Sequence, residues 1–199
     1  METLRKTPFD IDEYMRRVES FHGHAAPGVI IGGLMVRMAQ IRIPEGVLFN
    51  AVCETLSCLP DAVQLLTPCT VGNGWLRVID LGRFALSLYD KHHGNGFRVF
   101  IDPKNLDNWP EIKAWFLRLK PKTGQDHCRI LSQIKAAGEN LCGVHAVQVR
   151  PQLLERPEKG RIVICPSCGE PYPMKDGGIC LACQGRSPYV IREYPERVV

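Results

Sequence analysis

Apolar side chains recur at helical spacing near the start of the chain. A short amphipathic helix is predicted at residues 9–19, and a longer helix is predicted after Pro27. Pro27 suits a first helical turn, because the N–H that proline lacks has no partner inside a helix there. Gly32 and Gly33 weaken the second helix and predict that another element packs closely against it. The apolar face of this helix comprises Ile30, Ile31, Leu34, Met35 and Met38.

The rest of the N-terminal three quarters alternates between strand-like and helix-like patterns. Phe84, Leu86 and Leu88 alternate with smaller or more polar neighbours, which is typical of a half-buried strand. The predicted strands are 48–53, 75–79, 83–89, 97–101 and 144–149, and the predicted further helices run from Pro60 to Pro68, over 109–119 and over about 126–137. Turns at 80–82 and 90–96 predict that the three middle strands form a meander. About five strands with helices around them predict an α+β or α/β core.

Changes in composition divide the chain into three parts. We predict a core domain at 1–150, a polar, proline-containing linker at 151–160 and a four-cysteine domain at 161–199. The chain of 199 residues is long enough for one full core and a small appendage.

Charge and hydropathy limit the classes of function. The net charge is +4, but lysine and arginine are scattered, and no basic run is dense enough to indicate a nucleic-acid-binding tract. No stretch reaches the roughly 18 apolar residues of a membrane span. The N-terminus is too charged for a secretory signal, so we expect a cytoplasmic protein. In that reducing compartment, nine cysteines indicate metal binding or catalysis more than disulfides.

Four cysteines near the C-terminus have the spacing of a structural zinc site. Cys165 and Cys168 form one C-x2-C pair, and Cys180 and Cys183 form a second pair after eleven residues. Each pair can supply one edge of the thiolate tetrahedron that zinc prefers, and four protein ligands leave no position for catalysis. So short a segment cannot bury enough apolar surface to fold without the metal. The alternatives are two disulfides, a redox pair or an iron–sulfur cluster. We expect the module to serve docking or interaction.

A second group of candidate residues lies in the core domain. His22 and His24 stand on one side of an extended segment and could form half of a metal site, or else have a surface or capping role. Cys58 precedes a helix N-terminus, which predicts a lowered pKa and a reactive thiolate, and Asp61 lies in the same turn. Cys69 lies beyond the other end of that helix, about 13 Å away.

The remaining cysteines and histidines are assigned structural or surface positions. We predict that Cys53, Cys69, Cys128 and Cys142 are buried structural cysteines. His92, His93 and His127 are predicted to face solvent, and His145 is predicted to be a core histidine with its hydrogen bonds satisfied.

Three segments together resemble a known family. FHGHAAPG (21–28), CLPDAVQLLTPCTVGNGWL (58–76) and DLGRFALSLYD (80–90) resemble the FmdE family of formylmethanofuran dehydrogenase components, across residues 15 to about 150. The C-terminal module is similar to the zinc finger that many members append. The resemblance implies a thioredoxin-like core with a mixed five-stranded sheet and a treble-clef-like finger. Family genes often accompany the molybdenum or tungsten enzyme that reduces carbon dioxide onto methanofuran in methanogens, although relatives occur in bacteria without that pathway.

The family's cleft near its F-H-G-H motif gives candidate site residues here. The matching residues are His22, His24, Cys58 and Cys69, with Asp61 and Gln64 on the intervening helix. The family usually has a cysteine where this chain has Ala26, and a glycine where it has Pro68. Because alanine cannot ligate metal, Ala26 in place of the family's cysteine predicts an empty or weakly filled core metal site.

Three functional hypotheses follow. The first is an accessory protein that associates with molybdenum or tungsten oxidoreductase subunits. The second is an independent metal- or thiol-dependent enzyme that uses His22, His24 and Cys58. The third is a zinc-dependent nucleic-acid-binding protein, which the scattered charge disfavours. Thioredoxin-type disulfide exchange is not expected, because no C-x-x-C lies outside the finger. Exposed sheet edges also predict a homodimer.

Overall fold

A computed structural model describes residues 9–155 and 160–190. The predicted domains also include residues 1–8, 156–159 and 191–199, which lie outside the described residues. The chain divides into two compact units, Met1–Leu154 and Glu155–Val199. No helix within the described ranges is both long enough and apolar enough to cross a membrane.

The first unit combines five α-helices with one five-stranded sheet among its described residues. The helices are α1 (Ile11–His22), α2 (Pro27–Gln40), α3 (Leu59–Leu66), α4 (Pro110–Phe116) and α5 (His127–Ala137). The strands are β1 (Phe49–Cys53), β2 (Leu76–Val78), β3 (Ala85–Asp90), β4 (Asn95–Ile101) and β5 (Cys142–Gln148). In the second unit β6 (Ile162–Ile164) pairs antiparallel with β7 (Pro171–Pro173).

The sheet order confirms the mixed five-stranded prediction and corrects the predicted meander. The order is β2-β1-β3-β4-β5, in which β2 lies parallel to β1 and the other neighbours are antiparallel. Strand β2 therefore does not pair with β3, because β1 lies between them. The helix α3 connects β1 to β2, as a parallel pair requires a crossover.

Helix α2 is the centre of the core. Nearly all of its residues are buried, and it packs in one apolar cluster with the sheet face that carries Ala51, Leu86 and Val99. A Cβ on Gly33 would lie 2.1 Å from a ring carbon of Tyr14 in α1, and a Cβ on Gly32 would lie 2.7 Å from Ala62 in α3. The two glycines thus permit the close helix packing that the sequence predicted.

The opposite sheet face is partly covered by the chain that follows β5. Residues Pro151–Leu153 form a 3₁₀ turn, and Tyr89 of β3 donates a hydrogen bond to the carbonyl oxygen of Leu153 at 3.4 Å. Arg77 of β2 donates to the carbonyl oxygen of Gln152 at 3.3 Å. The first part of the predicted linker therefore packs on the core.

Two residues that were predicted to be buried, His145 and Cys128, are exposed, so these two predictions are wrong. His145 is exposed, because it pairs with Arg98 on the sheet face opposite the core and β5 is an edge strand. Its ring centroid lies 4.7 Å from that of Phe100. Cys128 is exposed as well, in the first turn of α5 on its solvent side. Cys53 and Cys69 are buried as predicted, and Cys142 is half-buried against the core. His92, His93 and His127 are exposed as predicted.

Candidate functional site

The four C-terminal cysteines converge on one point. The sulfur atoms of Cys165, Cys168, Cys180 and Cys183 all lie within 4.8 Å of one another. The Cys165–Cys183 sulfurs are 3.9 Å apart and the Cys168–Cys180 sulfurs are 3.7 Å apart. A tetrahedron with zinc–sulfur bonds of about 2.3 Å has edges of about 3.8 Å, so the arrangement fits a zinc ion.

Backbone geometry positions these thiols. Gly169, with φ +78°, allows the turn after the first pair, and its N–H donates to the carbonyl oxygen of Cys165 at 2.9 Å. The N–H of Cys180 donates to the sulfur of Cys165 at 3.4 Å, and this is the largest of the backbone hydrogen bonds that lower the pKa of the Cys165 thiol to about 6. Such N–H groups stabilise the thiolate that zinc requires.

The part of the second unit that the structure describes, residues 155 and 160–190, has little other interior. Its buried apolar cluster consists of Cys165, Tyr172 and Cys180, with Val163, Ile179 and Cys183 packed beside them. The Tyr172 hydroxyl closes the loop by donating to the carbonyl oxygen of Gly177 at 2.8 Å. Since half of the cluster is zinc ligands, metal coordination substitutes for a hydrophobic core. All nine cysteines are free, so the disulfide alternative is wrong.

His22 and His24 come together at the end of α1. His22 is the last residue of the helix, and Gly23 adopts a left-handed conformation with φ +84° that turns the chain. The turn, rather than an extended segment, leaves the ring centroids 4.8 Å apart. Both histidines are exposed. The pair can offer two ligands or two hydrogen-bonding groups to a molecule at the surface.

Cys58 lies against the first turn of α2. A Cβ on Gly28, in the first turn of α2, would lie 2.6 Å from the Cys58 sulfur, and Ala26 caps the same turn and is buried. Cys58 itself has φ +59°, a strained conformation for a residue other than glycine. Burial raises the pKa of its thiol, and the negative charge of Asp61 raises it further. The predicted lowering of this pKa is therefore wrong, because burial outweighs the helix terminus.

The other candidate of the core, Cys69, lies elsewhere. It is fully buried and its thiol points to the carbonyl oxygen of Phe49 at 3.4 Å, while burial raises its pKa to about 11. Gln64 accepts a hydrogen bond from the N–H of Val71 at 3.3 Å. Within residues 9–155 and 160–190, the four-cysteine cluster is the one group of three or more potential ligands that converges on a point. The core candidates do not form such a group there.

A cavity of about 900 Å³ opens beside Cys58. Three segments form it: the loop after β1, the residues just before β3, and the end of α4 with the chain that follows it. Its lining residues are Thr55, Ser57, Cys58, Gly82, Phe84, Trp115, Phe116, Arg118, Lys120, Pro121, Lys122 and Gln125. The cavity lies partly at the carboxyl end of β1, next to its parallel neighbour, a position where α/β sheets commonly bind ligands.

A buried carboxylate fixes the chain at one edge of this region. Glu54 follows β1 and its side chain is 7% exposed. Arg98 of β4 donates to both carboxylate oxygens, at 2.6 and 2.8 Å, and Arg83 approaches one of them at 2.8 Å. The hydrogen bonds from Arg98 are the largest cause of the lowered pKa of Glu54.

Sequence reasoning missed both the cavity and this ion cluster. The signal for the cavity wall was the alternation of basic residues in RLKPK, 118–122, directly after a helix. The signal for Glu54 was a carboxylate directly after a strand of apolar character. Neither signal identifies its partners, which lie far away in the sequence.

Family comparisons agree with both units. The model described as FmdE, molybdenum formylmethanofuran dehydrogenase operon, matches residues 21–149, and the model described as FmdE treble clef zinc finger matches residues 156–190. The finger model and the cysteine geometry together show a structural zinc ion in the C-terminal region.

Individual relatives extend this result. A crystal structure of a tungsten formylmethanofuran dehydrogenase FmdE-like protein from Syntrophus aciditrophicus is 50% identical, covers 92% of this chain and 96% of its own, and superimposes with a TM-score of 0.85. A probable S-adenosyl-L-methionine-binding protein from Archaeoglobus fulgidus is 27% identical over 85% of this chain, which spans about half (52%) of that relative's length. The chain therefore belongs to the FmdE family and carries that family's treble clef zinc finger.

Proposed function

We propose that this chain is an accessory protein of a molybdenum or tungsten oxidoreductase of the formylmethanofuran dehydrogenase type. In this role the zinc finger is structural and the core holds no catalytic metal. The similarity to a tungsten-enzyme FmdE-like protein over nearly the whole of both chains supports the assignment. The description of the family model supports the association with a molybdenum enzyme.

The observation that carries the proposal is the incomplete ligand set of the core. Ala26 occupies the capping position of α2, and Cys58 packs against the same helical turn. The histidine pair can supply two further ligands, but an alanine cannot supply a thiolate. Because burial also raises the pKa of the Cys58 thiol, neither a tightly bound metal nor an activated nucleophile is expected there.

A stand-alone enzyme is the second candidate, because a large cavity adjoins Cys58. In that case the cysteine would have to react or ligate metal when a substrate is bound. Cys58→Ser retains the size of the side chain while it removes a thiol, and it separates the two candidates. An accessory protein retains its association with the oxidoreductase after this substitution, whereas a thiol enzyme loses its turnover.

S-adenosyl-L-methionine is a further ligand to test, since one relative is described as a probable binder of it. Its sulfonium and ammonium groups give it a net positive charge at neutral pH. Arg118 and Lys122 make the cavity beside Cys58 positively charged, so we expect no binding of this compound there. Calorimetric titration of the zinc-loaded protein tests this expectation.

Affinity purification tests the accessory role. The full-length chain, tagged at one end and expressed in its native organism, should retain an oxidoreductase whose molybdenum or tungsten is measured by mass spectrometry of the eluate. The control is an equally abundant tagged protein of unrelated fold. Retention of molybdenum or tungsten at stoichiometric amounts by this chain alone supports the proposal. An eluate free of both metals, after crosslinking in the intact cells, refutes it.

A further inference from the structure

The wall of the cavity beside Cys58 carries only one sign of charge. Arg118, Lys120 and Lys122 line it, and no aspartate or glutamate is among its lining residues. Lys120 lies 3.3 Å from Glu111, which offsets one positive charge. Within the part of the chain that the structure describes, Arg118 and Lys122 form no salt bridge. Arg118 and Lys122 are both exposed, and two uncompensated cations that line one cavity attract anions.

The cavity lining is also aromatic, with Phe84, Trp115 and Phe116 among its residues. Phe84 and Phe116 contact each other edge to face, with ring centroids 5.6 Å apart, and Trp115 lies 6.1 Å from Phe116. All three side chains are only partly buried. Their accessible parts form an apolar floor, and the hydroxyl groups of Thr55 and Ser57 add hydrogen-bonding capacity. Flat apolar groups pack well on such a floor.

Arg118 is held in a conformation that costs stability. Its φ is +54°, in the left-handed region, one residue beyond Leu117, which caps the end of α4. The N–H of Leu119 donates to the carbonyl oxygen of Ala114 at 2.8 Å, and the N–H of Arg118 donates to the carbonyl oxygen of Trp115 at 3.1 Å. This pattern ends many helices, and the left-handed position normally belongs to glycine. An arginine there lacks a structural advantage, which points to a role for its side chain.

We propose that this cavity binds a small organic anion with a flat apolar body and a carboxylate or phosphate group. The flat body packs on Phe84, Trp115 and Phe116, and the anionic group is held by Arg118 and Lys122. A volume of about 900 Å³ is within the range of small-molecule sites. Cys58 forms part of the wall of the same cavity. This inference does not depend on the proposed oxidoreductase partner.

Three matched naphthalene compounds test the proposed charge preference. Naphthalene-2-carboxylate, neutral naphthalene-2-methanol and cationic naphthalen-2-ylmethylammonium share one flat body and differ in charge. In calorimetric titrations of the full-length zinc-loaded protein, we expect the carboxylate to bind about tenfold more tightly than the alcohol. Its affinity should fall as salt rises, since the cations are exposed. Equal affinities for the three compounds, or no binding of the carboxylate at millimolar concentration, overturn the proposal.

Variants assign the binding to the cavity. R118Q/K122Q should lower the affinity for the carboxylate about tenfold and leave the affinity for the alcohol unchanged. The matched control is R16Q/K104Q, which removes one arginine and one lysine that are exposed and lie outside the cavity lining. It should leave both affinities unchanged. A loss of carboxylate affinity in the control, or none in R118Q/K122Q, overturns the proposed site.

A third variant separates the role of Arg118 in binding from its role in folding. Arg118→Gly relieves the left-handed strain and removes the cation at once. We expect its Tm to rise by about 2–4 °C while its affinity for the carboxylate falls. Unchanged carboxylate affinity in this folded, stabilised variant would show that the Arg118 side chain does not hold the anion.

Discussion

Glutamine in place of Glu54 perturbs the buried ion cluster that follows β1, one residue before Thr55 of the cavity lining. The Glu54 side chain is 7% exposed and that of Arg98 is 18% exposed, whereas Arg83 is 59% exposed. Glutamine keeps the shape of glutamate and one acceptor oxygen, but it removes the negative charge. Arg98 would then be a half-buried cation with a neutral partner. The substitution therefore measures the charge of the cluster rather than its packing.

The exposures determine the expected magnitude. Breaking a fully buried ion pair costs about 3–5 kcal/mol. Because Arg98 remains partly exposed and glutamine still accepts one hydrogen bond, we expect Glu54→Gln to lower the free energy of unfolding by about 2–3 kcal/mol at pH 7. Arg83→Gln should cost less than about 1 kcal/mol, since that side chain is mostly in solvent. It serves as the matched control within the same cluster.

The pH dependence follows from the direction of the shift. Hydrogen bonds from Arg98 hold the pKa of Glu54 below its ordinary value in the folded state. The charged Glu54 side chain therefore contributes its full stabilisation above the unfolded-state pKa. This stabilisation is lost as pH falls through the lower, folded-state pKa. The parent protein should exceed Glu54→Gln in free energy of unfolding by the full amount at pH 7. This difference in free energy should become smaller below about pH 4.

Urea unfolding followed by tryptophan fluorescence measures these differences. All three tryptophans, Trp75, Trp109 and Trp115, lie in the first unit, so the signal reports the core without the finger. A double-mutant cycle with Arg98→Met isolates the coupling between the two side chains. The reasoning is refuted if Arg83→Gln lowers the free energy of unfolding as much as Glu54→Gln does. It is also refuted if the loss of free energy in Glu54→Gln is as large at pH 3 as at pH 7.

Three further predictions concern thiol reactivity, helix packing and the finger. At pH 7, iodoacetamide should modify exposed Cys128 faster than Cys58, whose pKa is raised by burial, and peptide mapping that shows Cys58 reacting first would contradict this. Gly33→Ala should lower the free energy of core unfolding by about 3 kcal/mol, because the new Cβ would clash with the buried ring of Tyr14. A change below about 1 kcal/mol in urea unfolding would mean that the ring can move away from the new Cβ. Cys180→Ser should abolish zinc retention in gel filtration and expose the finger to trypsin, so a protected, zinc-bound variant would disprove the need for four thiolates.

The periodic parts of the fold were predictable because their signals are local. Each proline-initiated helix and each alternating strand can be recognised from about ten neighbouring residues, as α2 and β3 show. The order of the strands depends instead on pairing between distant segments. The insertion of β1 between β2 and β3 produced the error in the predicted meander. The exposed position of His145 has the same origin, since the register with β4 and the edge position of β5 are set only in the assembled sheet.

The two candidate sites differ in the same way. The zinc ligands lie within nineteen residues of sequence, and the pair spacing itself sets the geometry, so the sequence predicted their convergence. The cavity joins residues near 58, 84 and 118 and could not be seen in any one segment. The pKa of Cys58 also depended on tertiary contacts, because burial against α2 and the charge of Asp61 outweigh its place before α3. A core metal site of low or no occupancy stays a prediction.

Metal analysis of the purified full-length chain tests the central claim, that metal binding is confined to the finger. The parent protein and the variant C165S/C168S are compared after identical preparation in zinc-containing medium. We predict one zinc ion per parent chain and none per variant chain. Two tightly held zinc ions in the parent, or one retained by the variant, would place a metal in the core and contradict the account.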